Sequence, residues 1–533
     1  MAQPAESASI QDAPTASETD ENTSKPRRST RRRILKGLLI GVPAVLAAST
    51  AAGGVVYALA DTDTTGKVDF DRPLTIPPLA PGRVQDGRTI FELHATAGER
   101  QLRPGPPTTT WGFDQGFLGP TIRVRRGDTV QIDVRNGLAE DTTVHWHGAL
   151  LPAAMDGGPH QSIPPGQTWR PRWKVEQPAA TLWYHPHPHG ATTHHVNRGM
   201  AGLLLIDDDE QAAASGLPGR YGVDDVPLIV QDKNFDSGNQ FDEDFSALGD
   251  VGILGDTVLV NGVPGAFFEV TTERVRLRLV NASTARVYDF GFADDREFAL
   301  VGTDGGLLAA PHPTDRIRLS PGERAEIVVA FRPGEQVVLR SYPPDLGLDP
   351  LNERWTGGDD RLDIMQFRAA ASLGASPVPA ATLAPPAEVT LAADAVVRRF
   401  EMAGNLINNQ AMDMNRIDFG VPRGTTEVWE VVSPFPRPHN FHLHGGHFQV
   451  LSVNGAPPPP ELSGWKDTVY NPPEAVLRLA VTFTGHADRN TPFMYHCHLL
   501  LHEDRGMMGQ FVVLEPGENP GTPAHAGHSE PPR

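Results

Sequence analysis

Three stretches of the chain, residues 126–134, 273–281 and 424–432, open on a turn and continue with β-type residues at every second position. Thr129-Val130-Gln131-Ile132-Asp133-Val134 is the clearest. A period of two marks a strand with one buried face. The starts lie about 150 residues apart, the length of one elaborated β-sandwich, so the pattern predicts three sandwich domains in series. The 53 glycines and 50 prolines fit this reading, because both residues interrupt helices and serve the turns between short strands. An all-β chain is expected, and 39% apolar residues are enough to give each domain a core.

Composition shifts mark the joints. Residues 207–222 are acidic and rich in Ala and Gly, and residues 369–386 are dominated by Ala, Pro and Ser and carry no charge. Boundaries are therefore expected near 214 and 378, giving domains 61–213, 214–377 and 378–516 and a flexible tail 517–533, in which His525 and His528 are solvated. Ahead of the first domain, residues 1–25 read as a disordered leader. Thr30-Arg31-Arg32-Arg33-Ile34-Leu35-Lys36 follows, then an uncharged run ending Ala58-Leu59-Ala60. This resembles a twin-arginine export signal, with the export machinery as a partner and cleavage expected near Ala60. Membrane contact is expected only if the signal stays uncleaved. The chain is thus predicted to be exported, to the periplasm, the cell surface or the medium. A net charge of -19 excludes nucleic acid as a natural partner.

A second repeat carries chemistry. Tyr184-His185-Pro186-His187, with Arg198-Gly199-Met200-Ala201-Gly202 after it, mirrors Tyr495-His496-Cys497-His498 with Arg505-Gly506-Met507-Met508-Gly509. His145-Trp146-His147-Gly148 likewise mirrors His442-Leu443-His444-Gly445. The first and third domains are copies, each with two His-X-His pairs; the middle domain has none and reads as a spacer that shapes the substrate surface. In extended chain, residues i and i+2 share a face, which sets the two imidazoles of a pair about 6–7 Å apart and suits neighbouring metals. Eight imidazoles result: His145, His147, His185, His187, His442, His444, His496 and His498. They leave copper, zinc, iron and nickel open.

Cys497 narrows the choice. As the only cysteine it cannot form an intramolecular disulfide. Between His496 and His498 it must face the opposite side of the strand, toward a separate metal that a thiolate of lowered pKa would bind. His439 and His502 can join it, with Met507 placed as a weak axial group: a His₂Cys set with an axial Met is the blue-copper electron-transfer site. His189, His194, His195 and His447 lie nearby and are expected to be hydrogen-bonded or solvated rather than ligands.

The motifs HWHG at 145, WYHPHPHG at 183, HNFHLHG at 439 and YHCHLLLHEDRGMM at 495, with Gly464-Trp465-Lys466-Asp467-Thr468-Val469, resemble the multicopper oxidases, most closely bacterial three-domain enzymes of the laccase and copper-efflux type. The resemblance covers essentially all of the chain beyond the export signal. It implies three consecutive cupredoxin-like Greek-key sandwiches and four copper ions. His145 and His442 would hold one type 2 copper, and His147, His185, His187, His444, His496 and His498 the two type 3 ions. His439, Cys497, His502 and Met507 would hold one type 1 copper. Electrons from a small-molecule reducing substrate would enter at type 1 and pass through Cys497 to the cluster that reduces O₂ to water. Asp156 and Glu503 resemble the family's acidic residues beside that cluster, as proton carriers or as orienters of ligand imidazoles.

For the substrate, the sequence favours phenols and aromatic amines, a laccase-like activity. Copper-efflux relatives carry a methionine-rich insert and an Asp/Met pair before the first type 1 histidine, whereas this chain has 10 methionines and reads Ser433-Pro434-Phe435-Pro436-Arg437-Pro438 there. Oxidation of a metal ion, cuprous or manganous, is the second reading. A non-catalytic exported or cell-division protein on the same fold is the third, and the filled ligand positions argue against it. A copper nitrite reductase would need fewer histidines.

Overall fold

The computed structural model describes residues 61–245, 250–483 and 485–524. The expected leader and export signal, His525 and His528 lie outside these residues. Among the described residues no helix is long and apolar enough to cross a membrane.

Among the described residues six sheets form three two-layered, cupredoxin-like sandwiches, as the alternating segments predict. The repeat extends to topology. Each alternating strand lies parallel to a strand near the start of its sandwich: Thr129–Asn136 beside Arg88–Arg100, Arg274–Asn281 beside Asp225–Lys233, Thr426–Val432 beside Val397–Ala403. Each second sheet contains a further parallel pair: Ile122–Arg125 with Gly202–Asp207, Ala266–Thr272 with Leu362–Gly374, Phe419–Pro422 with Met508–Leu514. Parallel neighbours need crossover connections, which here carry the chain from one layer of the sandwich to the other. Inward residues fill the space between the layers, for example Leu93, Ile132, Leu182 and Leu204 in the first sandwich and Leu277, Phe290, Ile327 and Phe367 in the second.

Only the first of the three strands buries every second residue throughout its length. In the second, Arg278 is also buried, because its outward position faces other chain segments, where it pairs with Asp225 and Glu326 and donates to Thr181. In the third, Glu427 is buried by Arg398 and by the indole N–H of Trp429. Ion pairing, not solvent, satisfies these polar positions. The chain also reaches the second sandwich before it builds the first: Arg72–Pro73 extends a sheet of the second beside Ala266–Phe267, and Leu74 and Ile76 pack on its core.

Candidate metal centre

The strand His145–His147 pairs with Ala180–His185, so that His145 lies opposite His185. In the third sandwich His439–Leu443 pairs with Phe493–His496, setting His442 opposite His496. The four His-X-His pairs thus stand at matching strand ends of two copies of one fold. Their ring centroids are 5.7, 6.1, 4.9 and 5.6 Å apart in chain order, somewhat closer than extended geometry predicts. The ladders stop at His185, Leu443 and His496, so in three pairs the second histidine lies just past the strand end.

The two copies meet ring on ring. His145 stacks on His444 and His147 on His442, each pair with centroids 3.8 Å apart. Three sets of nitrogen atoms converge: His147, His185 and His498; His187, His444 and His496; and His145, His147 and His442. A fourth set, His439, Cys497 and His502, lies on the opposite side of the His-Cys-His triplet. Its edges are 3.2 Å between the two Nδ1 atoms and 3.8 and 3.6 Å from Cys497 Sγ to His439 and His502. A point about 2.0–2.3 Å from all three exists, the range of metal–nitrogen and metal–sulfur bonds. Met507 is buried beside them, its carbonyl accepting the Cys497 N–H.

Whether these residues fit metal is answered by their unused atoms. His145 and His442 donate Nδ1 to the carbonyls of Asp156 and Asp467, at 3.0 and 2.9 Å, which leaves each Nε2 buried without a partner. Both ring nitrogens of His498 are also unpartnered. Leaving such groups dry and unbonded is costly, and coordination is what removes the cost. Burial holds the imidazoles neutral, the form that ligates: His187 and His496 fall to about 3, His442 and His502 to about 4, and His147, His185, His439, His444 and His498 lie well below the usual value. The Cys497 thiol differs from the sequence expectation of a lowered pKa. Burial pushes it up to about 12, so the fold alone keeps it protonated and a bound cation is needed to make the thiolate.

Both acidic candidates sit against ligand histidines. Asp156 Oδ2 accepts from His444 Nδ1 at 2.7 Å, and Asp156 Oδ1 is buried and unpartnered. Glu503 lies between His187 Nδ1 at 3.4 Å and His496 Nδ1 at 3.2 Å. Burial raises its pKa, an effect that His187 partly offsets. The nearby histidines are bonded elsewhere or exposed: His447 to the Gly148 carbonyl, His195 to Thr142 and Glu140, His194 to Glu243, with His189 exposed.

Asp467 is a functional position whose role the sequence analysis missed. Its Oδ1 accepts from His147 Nε2 at 3.0 Å while its carbonyl holds His442. It does for the third sandwich what Asp156 does for the first. The mirrored His-X-His pairs were the available signal, since two copies of a site invite a search for two carboxylates.

Multicopper oxidase family models match residues 94–211, 229–339 and 382–517. The multicopper oxidase mco of Staphylococcus haemolyticus is 34% identical, over 80% of this chain and 89% of its own. The chain belongs to the multicopper oxidase family. Cell division protein FtsP of Xenorhabdus nematophila is 35% identical over 83% of this chain and 93% of its own length. The crystal structure of a laccase from Pediococcus acidilactici superposes with a TM-score of 0.75 at 33% identity, covering 83% of this chain and 94% of that one. As a multicopper oxidase the chain is an oxidoreductase that uses copper, O₂ and a small-molecule reductant.

Proposed function

We propose that this multicopper oxidase couples one-electron oxidation of phenols and aromatic amines to the four-electron reduction of O₂ to water. Four copper ions are assigned as follows: type 1 to His439, Cys497 and His502 with Met507 axial, type 2 to His145 and His442, and the type 3 pair to His147, His185 and His498 and to His187, His444 and His496. The observation that carries the reading is the position of Cys497, one peptide bond from a histidine of each type 3 set, with its sulfur in a separate triad. Copper, when bound, supplies acceptance of single electrons and reduction of dioxygen.

The protein's own groups do the rest. His502 donates Nε2 to the Asp250 carbonyl at 2.7 Å, and the Asp250 carboxylate is held by Arg437 and Arg505 at 2.6 Å each. Phe435, 55% exposed, stands close by in sequence as an apolar rest for an aromatic ring. Glu503 and Asp156 orient the rings and stand where protons must pass to the histidine cluster. The three domains are divided near 214 and 378, and the chain is exported through its twin-arginine segment.

Purified protein should contain copper and should consume O₂ with a methoxyphenol faster than with Cu(I). Faster turnover of Cu(I), with the phenol inert, would make it a metal-ion oxidase, which the shared family equally accommodates. The likeness to a cell division protein keeps a third outcome in view: copper-free, colourless protein after copper-replete expression would mean a non-catalytic role.

A further inference from the structure

Among the described residues the middle sandwich gives no member to these metal-binding sets, yet one of its turns, Ser320-Pro321-Gly322-Glu323-Arg324, is pressed against the histidine cluster. A Cβ on Gly322, at φ +88°, would stand 3.0 Å from the His147 ring and 3.1 Å from the His498 ring. Arg324 follows, its side chain wholly buried. Nη1 donates to Asp467 Oδ1 at 2.6 Å and to the Gly322 carbonyl at 3.2 Å. Nη2 donates to Asp467 Oδ2 at 2.7 Å and to the Asp304 carbonyl at 2.9 Å, and Nε to the Thr181 carbonyl at 3.1 Å. A guanidinium has five N–H groups in a fixed plane, and all five are used. The acceptors come from all three sandwiches. A lysine has three donors on a flexible stem and cannot reproduce this set.

Asp467 in turn carries the contact to the cluster. Its carboxylate fixes the His147 ring through Nε2, so that Nδ1 turns toward His185 Nε2 at 3.4 Å, and its carbonyl fixes His442. The same turn reaches the other centre. Asn440 donates Nδ2 to Ser320 Oγ and to the Pro321 carbonyl, while its Oδ1 accepts the His498 N–H at 2.6 Å and lies 3.6 Å from Cys497 Sγ.

We propose that Arg324 of the middle sandwich is a positioning residue for the trinuclear copper cluster, acting through Asp467 on His147 and His442. The middle domain is then part of the oxygen-reducing centre. This rests on the copper assignment above. Groups that orient ligand imidazoles typically change metal affinity by about 10–100-fold. In Arg324→Met, copper should leave the trinuclear set at about 10–100-fold lower chelator concentration, read from the type 2 electron paramagnetic resonance signal. The visible band of the Cys497 centre should persist at the parental chelator midpoint. Arg324→Lys, which keeps the buried positive charge, should shift the trinuclear midpoint in the same direction by less.

Unchanged trinuclear midpoints, or midpoints of both centres falling together, would overturn the proposal, the second because general loosening is what a merely structural residue produces. If Arg324→Met does not fold, Arg324→Lys decides by the same two midpoints. Failure of Arg324→Lys to fold would also overturn the proposal, since Arg324 would then be needed for folding itself. A parent protein with no copper signals would instead refute the copper assignment.

Discussion

Asp156 and Asp467 occupy the same place in two copies of one site, and they are held differently. Each gives its carbonyl to a type 2 candidate and its carboxylate to a histidine of the opposite sandwich: Asp156 to His145 and His444, Asp467 to His442 and His147. Asp467 is gripped on both oxygens by Arg324 and takes a further bond from the Thr468 hydroxyl. Asp156 has one oxygen buried with no partner. Four hydrogen bonds commit the Asp467 carboxylate to orientation, whereas Asp156 keeps one oxygen with no bond at all, where a proton can be transferred. The two aspartates share a position, and only one of them is held by the middle domain's arginine.

The largest break in this comparison should come from the anchored side. Asp467→Asn takes from the buried Arg324 the carboxylate that holds it on two nitrogens and leaves only Asp304 at 3.7 Å, and breaking a buried pair from one side costs about 3–5 kcal/mol. Chemical denaturation should register that loss, and Asp156→Asn should register far less. The free side should instead dominate turnover. An Asn can still accept from His444, so Asp156→Asn should keep its copper while turnover falls about 10²–10⁴-fold, the range for losing a general acid or base. A fall of only a few-fold at full copper content would leave Asp156 an orienter like its partner.

Acid sharpens the same contrast. Burial alone would raise the Asp467 pKa, but Arg324 and His147 hold it well below the ordinary carboxylate value. A carboxylate with a depressed folded pKa stabilises above its unfolded pKa of about 3.9 and loses that contribution as pH falls through the folded value. Copper-stripped protein should therefore lose stability below about pH 4, and Asp467→Asn should lose less over that window. The smallest effect concerns the mirrored methionines. Met507→Leu should raise the type 1 potential by removing a weak axial ligand, while Met200→Leu, whose domain has Pro186 where the other has Cys497, should leave it unchanged. Both should cost less than about 1.5 kcal/mol, since Leu and Met are close in volume.

The legible part of this protein was its local pattern. Alternation at 126–134 marks a strand because its environment is one core and solvent. Four His-X-His pairs and a flanked Cys497 mark a metal centre because two-residue spacing fixes which side chains share a face. What stayed hidden depends on partners distant in the chain. Arg324 meets Asp467 across 143 positions, and nothing near either residue announces the other. Arg72–Pro73 joins a sheet of the second sandwich for the same reason: a strand's neighbour is not encoded beside it. The Cys497 thiol was expected to face a separate metal as a thiolate of lowered pKa; burial by itself raises the thiol, so the lowering depends on the bound cation and not on the chain around it.

The central claim is that the sulfur of Cys497 connects two metal centres through the histidines on either side. It is tested most directly by recording the visible spectrum and the O₂ uptake of Cys497→Ser beside the parent. The variant should lose the intense visible band and substrate-driven uptake while retaining the type 2 resonance signal. A variant that keeps the band and consumes O₂ at the parental rate would contradict it.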